Sequence, residues 1–279
     1  MAQRVEVPSN PAYIEKADII EALEKHIRKF DWRGEECVVL DADCGLGEVT
    51  KDILLPLLPQ HATLIGWDSS GEKIEYCKKV RKDERLSFHE IDVQFVDLFF
   101  NWRFDYFHKI FSFYCIHWMQ NYRRSLGNMY SLLKNNGDIL LIFLTPDNPM
   151  YRAFERVKQF PLYERLFSNF SWFYKAPEPV GFIRRLLDEI GFSHVYCWMK
   201  MSSTVYPSFD VYMDVIDKVN PYLDGLHPNQ IGECRRTIWH CIRHDPQITE
   251  DESTGEITVN YSLVIAVAKK VIKEETKEK

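Results

Sequence analysis

The chain has 279 residues, 46% of them hydrophobic and 27% charged, with a formal net charge of −6. That balance excludes a disordered or low-complexity chain, and the negative charge argues against non-specific nucleic-acid binding, which requires a basic face. Seven cysteines form no disulfide framework and no metal knuckle, so a reduced, cytoplasmic protein without a metal site is expected. The opening Met1–Pro8 segment lacks the apolar stretch of a signal peptide, and no apolar run is long enough to cross a bilayer.

In chain order, Ile19, Ile20, Leu23, Ile27 and Phe30 recur at helical spacing and predict a first helix from about Pro11 to Phe30, with Asn10–Pro11 as its cap. Cys37–Asp41 is a short apolar run ending in an acid, the pattern of a buried parallel strand. Gly45 and Gly47 turn the chain into a second helix that Pro56 and Pro59 end. Thr63–Asp68 repeats the strand-then-acid pattern, and Ser69 or Ser70 caps a helix over Glu72–Val80. Strands are predicted at Leu86–Asp92, Lys109–Ile116 and Asp138–Leu144, with a helix from Asn121 to Leu133 between the last two.

Five strand signals separated by helix signals predict a doubly wound parallel sheet, whose ligands bind beyond the carboxyl ends of the strands. After Pro146 an aromatic stretch from Phe154 to Tyr174 precedes a helix at Pro179–Ile190. A strand at Phe192–Thr204, helices at Phe209–Val219 and Asn229–Ile242, and a final strand at Glu256–Lys270 follow. The acidic turn Asp251–Gly255 predicts a hairpin and an antiparallel edge. One domain over 1–279 is expected: a helical cap at 1–35, a cofactor-binding half at 36–146, an aromatic helical insertion or lid at 147–191, and the C-terminal half of the sheet at 192–271.

The loop Asp41-Ala-Asp-Cys-Gly-Leu-Gly47 is the nucleotide-facing turn. Its glycines permit close backbone approach, and amides at the following helix start favour a polar ligand end. Asp68 ends the next strand, where an acid accepts both hydroxyls of a ribose, and Asp92 ends the third, within reach of an adenine amino group. A nicotinamide dinucleotide would suit the same layout, but Thr50 stands where the third glycine of that fingerprint is required.

These motifs, and above all Phe111-Ser-Phe-Tyr-Cys-Ile-His-Trp118, resemble the class I S-adenosylmethionine-dependent methyltransferases, and more narrowly the insect juvenile hormone acid O-methyltransferase family, over nearly the whole chain. The resemblance implies an α/β, Rossmann-like, seven-stranded and mostly parallel sheet with an antiparallel final strand and a helical lid. It implies S-adenosylmethionine as cofactor, S-adenosylhomocysteine as product, and methylation of the carboxyl group of a small hydrophobic, sesquiterpenoid-like acid. Asp41, Gly45 and Gly47 would line the methionine end of the cofactor, Asp68 would hold its ribose and Asp92 its adenine, with Asp43, Ser69 and Ser112 also at the cofactor. Tyr114, His117 and Trp118 would face the transferred methyl, and Glu15, Trp118, Phe154, Trp172 and Phe173 the acceptor.

A carboxylate is already nucleophilic, so His117 and Trp118 are read as positioning groups; for His117, simple packing beside the sheet is the alternative. The aromatic stretch reads equally as a lid and as helices packed on a sheet. The strand before Ser112 is shifted against the family, either Phe104-Asp105 or Phe107-His108 taking the place of its Phe-Asp pair, and two single residues depart as well: Asp43 replaces a glycine, and Glu15 stands nearest an expected glutamine. The last two motivate a second reading, a catalytically impaired relative that retains a pocket for a hydrophobic ligand. Nothing in the sequence specifies the oligomeric state.

Overall fold

The computed structural model describes residues 3–4, 16–34, 36–96, 103–119, 121–161, 164, 178–220, 223 and 226–272. The chain forms two compact units, one of Met1–Asp18, Leu144–Lys175 and Lys200–Leu263, the other of Ile19–Phe143, Ala176–Met199 and Val264–Lys279. Along the chain the elements are β1 (Gln3–Arg4), α1 (Lys16–His26), β2 (Cys37–Ala42), α2 (Leu55–Leu57), β3 (Ala62–Asp68), α3 (Gly71–Val80), β4 (Leu86–Glu90), β5 (Phe107–Phe113), α4 (Tyr122–Leu132), β6 (Leu133–Leu144) and α5 (Pro149–Val157). Then come α6 (Pro179–Ile190), β7 (Phe192–Tyr206), α7 (Phe209–Val219), α8 (Pro228–Arg243), β8 (Ile248–Glu250) and β9 (Ile257–Lys270). The strand order is β1-β7-β9-β6-β5-β2-β3-β4, with β8 on β9. This is the mixed, mostly parallel sheet of the expected Rossmann-like fold.

In the second unit, β2 pairs in parallel with β3 and β5, β3 with β4, and β5 with β6. Val39, Leu40, Ile110, Phe111, Leu140 and Leu141 are completely buried at its centre, as expected for parallel strands covered on both faces. Ser70, rather than Ser69, caps α3, its hydroxyl accepting from the Lys73 amide at 3.4 Å.

Several boundaries differ from the sequence expectation for identifiable reasons. The α-helical part of the first helix ends at His26 and tightens to a 3₁₀ turn over Ile27–Lys29; the Asn10–Pro11 cap lies outside the described residues. The second helix opens as a π-helical turn over Val49–Leu54, with the Leu55 N–H reaching back to Thr50 O, just before Pro56, which has no N–H to continue an α ladder. β6 begins earlier than Asp138 because a bulge intervenes: Phe107 pairs with Leu133 and Lys109 with Asp138, and Asn136 takes a φ of 63° within it.

In the first unit, β1 lies parallel to β7 and β8 antiparallel to β9. The Asp251–Gly255 turn forms: the Asp251 carboxylate accepts from the Ser253 and Thr254 amides, and Gly255 sits at φ 74°. The hairpin does not make β9 an edge, however, because β9 lies between β7 and β6. Asp18 is fully buried and accepts hydrogen bonds from Lys200 Nζ (2.7 Å), Ser202 Oγ (2.8 Å) and Tyr261 Oη (2.8 Å), as a buried carboxylate requires. Among the described residues no helix is long and apolar enough to cross a membrane.

Candidate active site

The loop after β2 is shaped by three left-handed residues, Asp43 (φ 69°), Gly45 (φ 55°) and Gly47 (φ 69°). The two glycines do different work. A side chain on Gly45 would meet nothing within 4 Å, so its backbone is open to a ligand. A Cβ on Gly47 would lie 3.0 Å from the Phe88 ring and 3.1 Å from Cys77 Sγ, which makes Gly47 a packing residue. Asp41 is buried and turned inward, its carboxyl accepting from Thr50 Oγ1 at 2.7 Å. Burial outweighs that bond and pushes its carboxyl up to about 7.

The register of β2 on β3, Asp41 with Gly66 and Ala42 with Trp67, brings Asp43 level with Asp68. Asp68 is only 1% exposed, and its carboxylate accepts from the backbone amides of Gly45 (3.0 Å) and Ser70 (2.9 Å) and from Lys73 Nζ (3.5 Å). Burial first, and the charge of the nearby Asp68 second, raise the Asp43 carboxyl to about 7. Asp92 lies two residues beyond β4, where its Oδ1 accepts from the Gln94 amide at 2.8 Å.

β5 stops at Phe113 instead of continuing to Ile116. Tyr114 still donates its amide to Ile142 O at 2.7 Å but turns to φ 54°, and Ile116–Trp118 form a 3₁₀ turn. With three residues per turn, positions 115 and 118 fall on one side and 117 on another. Cys115, Trp118 and Met119 accordingly line a cavity of about 170 Å³ together with Asp43, Ser69, Ile91, Asp92, Val93 and Gln94. His117 is buried against the rings of Tyr114 and Trp118, and burial pushes its imidazole down to about 3, leaving it neutral.

Of the expected site residues, Asp43, Ser69, Asp92 and Trp118 therefore meet at the cavity. Asp41, Gly45, Gly47, Asp68, Tyr114 and His117 are not among its lining residues. Ser112 is completely buried in β5, and Phe154 is completely buried in α5 of the other unit. Glu15, Trp172 and Phe173 lie outside the described residues. Sequence reasoning missed Cys115 and Met119, although three-residue spacing from Trp118 and its adjacency held the signal. It also missed Ile91, Val93 and Gln94, the neighbours of Asp92.

Parallel strands with acids at their carboxyl ends, a glycine-opened loop after the first of them and a cavity beyond the next two are the layout of a Rossmann-like class I methyltransferase fold. Residues 40–139 match the model of a methyltransferase domain. The chain is 30% identical over 213 residues to a juvenile hormone acid O-methyltransferase of Bombyx mori, covering 75% of this chain and 76% of that one. It is 29% identical over 270 residues to the enzyme of the same name from Drosophila melanogaster, covering 92% and 89%. The chain belongs to the insect juvenile hormone acid O-methyltransferase family. Among solved structures, the YcgJ protein of Bacillus subtilis superposes with a TM-score of 0.60 at 15% identity, over 91% of this chain and 99% of that one. The cyclase SpnF superposes with a TM-score of 0.57 at 10% identity, over 96% and 85%. These two likenesses concern the fold alone.

Proposed function

We propose that the protein transfers a methyl group from S-adenosylmethionine to the carboxylate of a small hydrophobic acid of the sesquiterpenoid type, such as juvenile hormone acid or farnesoic acid. The observation that carries this reading is the similarity, along most of the chain, to two insect enzymes named for that substrate. The cofactor, when bound, supplies a methyl group already activated by its sulfonium.

The residues present fit that cofactor. Gly45 offers open backbone. Of the roughly four acceptor positions of a carboxylate, Asp68 commits two to the amides of Gly45 and Ser70. The others face Asp43 and Lys73, side chains that a ribose diol can displace. Ser69 and Asp92 flank the same cavity and are assigned to the adenosine.

A carboxylate acceptor needs no general base, and the neutral, buried His117 suits a role in holding Trp118 and Tyr114 rather than in moving a proton. Alignment of the two reactants supplies the catalysis, up to about 7–11 kcal/mol in favourable cases. Trp118, Met119, Ile91 and Val93 provide apolar surface at the cavity. The cytoplasm, where thiols stay reduced, is the compartment this reading assumes.

The test is transfer of a tritiated methyl group to a panel of sesquiterpenoid and fatty acids. A labelled methyl ester of a sesquiterpenoid acid is the expected product, and failure to label any acid overturns the carboxyl assignment. The nearness of Asp43 to Asp68 favours one competing reading, a ligand-binding protein without transfer. Absence of binding of both the methyl donor and its demethylated product, in folded protein, would overturn the enzyme reading.

A further inference from the structure

One side of the cavity is the segment Ile91–Gln94, which lies beyond the last pairing of β4 with β3, that of Asp68 with Glu90. The Ile91 amide still donates to Asp68 O at 3.0 Å, and the Phe95 amide then closes a turn on Asp92 O, also at 3.0 Å. A turn closed on itself fixes its own shape but not its place in the protein. Its place is set from α4. Asn128 Nδ2 donates to Val93 O at 2.7 Å and to Gln94 O at 3.3 Å, one amide group serving two successive carbonyls. Arg124, one turn earlier on the same face of α4, puts its guanidinium 4.9 Å from the centre of the Phe95 ring.

What this segment presents to a ligand is apolar surface with a carboxylate between. Ile91 and Val93 flank Asp92, and Trp118 and Met119 line the same cavity. With Asp43 there as well, and no lysine or arginine among the described lining residues, the place does not suit the carboxylate of an amino-acid end. A flat, neutral base carrying an amino group matches it. Asp92 commits Oδ1 to the Gln94 amide at 2.8 Å, and the remaining acceptor positions of its carboxylate can serve that amino group.

We propose that Asn128 is a positioning residue for the adenine of the methyl donor: by tying Val93 and Gln94 to α4, it holds Asp92 where its carboxylate accepts from the exocyclic amino group. The inference rests on the methyltransferase reading, with Asp92 at the base, and deepens it. Asn128 is not a lining residue of the cavity and acts only through the segment it holds. In hypoxanthine an oxo group replaces the amino group, so an acceptor meets an acceptor and the base is rejected. That discrimination depends on where the carboxylate stands. Without the Asn128 donor the two carbonyls turn to water and the carboxylate moves with them. The ribose and amino-acid ends are common to both ligands, so any change there cancels in the ratio of their affinities.

The experiment is calorimetric titration of the whole chain with S-adenosylhomocysteine and with S-inosylhomocysteine, in the wild type, Asn128→Ala and Asn128→Leu. The wild type is expected to prefer the adenine ligand by at least about tenfold. In either variant that preference falls by about fivefold or more, while the affinity for the hypoxanthine ligand changes by less than about twofold. Leucine is close to asparagine in size and favours a helix more, so Asn128→Leu carries the test if the alanine variant fails to fold. A merely structural role would weaken both ligands together. A parallel loss, or a ratio that moves by less than about twofold in a folded variant, therefore overturns the inference. If neither ligand binds the folded wild type, the methyltransferase reading falls and this inference falls with it. If the wild type binds both equally, Asp92 does not read the amino group, and the inference falls while that reading stands.

Discussion

Gly45 and Gly47 sit two positions apart at similar backbone angles, yet the structure separates them by what surrounds them. Gly47 is closed in by Phe88 and Cys77, whereas Gly45 has open space. Gly47→Ala is expected to destabilise the fold by about 1–3 kcal/mol, from overpacking added to the cost of a left-handed alanine. Gly45→Ala bears only the backbone cost, roughly 1 kcal/mol, and a weaker affinity for the cofactor. Thermal melts together with cofactor titration check the pair; equal melting temperatures in the two variants would contradict the division of roles. Both glycines were legible in the sequence as a turn after a strand. Which one packs and which one faces a ligand was not, because Phe88 and Cys77 reach Gly47 only when β4 and α3 are folded against the loop.

At the scale of elements, the acids Asp41 and Asp68 end parallel strands, as the apolar runs before them indicated. Asp92 lies past its strand because β4 closes at Glu90. The largest local revision is the 3₁₀ turn after β5, which turns Cys115 and Trp118 to the cavity and His117 into the protein. An apolar run that ends in a tight turn looks like a longer strand when only composition is read.

The same pair of strands carries a buried ion pair. Lys109 on β5 bonds Asp138 on β6, with side chains 3% and 6% exposed, and Lys269 of β9 lies 3.0 Å from the other Asp138 oxygen. Asp138→Ala leaves Lys109 buried without its carboxylate and is expected to cost about 3–5 kcal/mol. Chemical denaturation measures it, and a loss below about 1 kcal/mol would mean that solvent reaches the lysine. The β6 bulge sets this pairing by bringing Lys109 opposite Asp138, and no local propensity announces it.

For the molecule as a whole, two buried groups give stability opposite dependences on pH. Asp41, raised to about 7 in the folded state, holds a proton there that the unfolded chain has lost. Its contribution is full below about pH 4 and is lost as pH rises to about 7, at no more than about 1.4 kcal/mol per pH unit. His117, lowered to about 3, acts in the other sense: the unfolded chain takes up a proton below about pH 6.5, and stability falls from there toward about pH 3. Between about pH 4 and 6.5 the His117 slope opposes that of Asp41, to which Asp43, also raised to about 7, adds, and above that range the losses of the two carboxyls remain. Relative to the wild type, Asp41→Asn is therefore expected to gain stability steadily from about pH 4 to about pH 7.5. Urea unfolding across that interval tests this, and a constant difference between the two proteins would refute it.

The sequence by itself determined the succession of elements, the mostly parallel sheet and the turn that opens toward a cofactor. Each of these is written in local periodicity, in strand-terminal acids and in glycines that need no partner to be recognised. Only the tertiary structure decided what the Asp41–Gly47 loop faces. Asp43 stands level with Asp68 because β2 and β3 pair in one particular parallel register, and Cys115 lines the same cavity as Asp43 because the chain after β5 tightens into a 3₁₀ turn. Hydrogen bonds between residues far apart in sequence depend on strand register and on the burial that sets their protonation, and neither can be read from one residue and its neighbours.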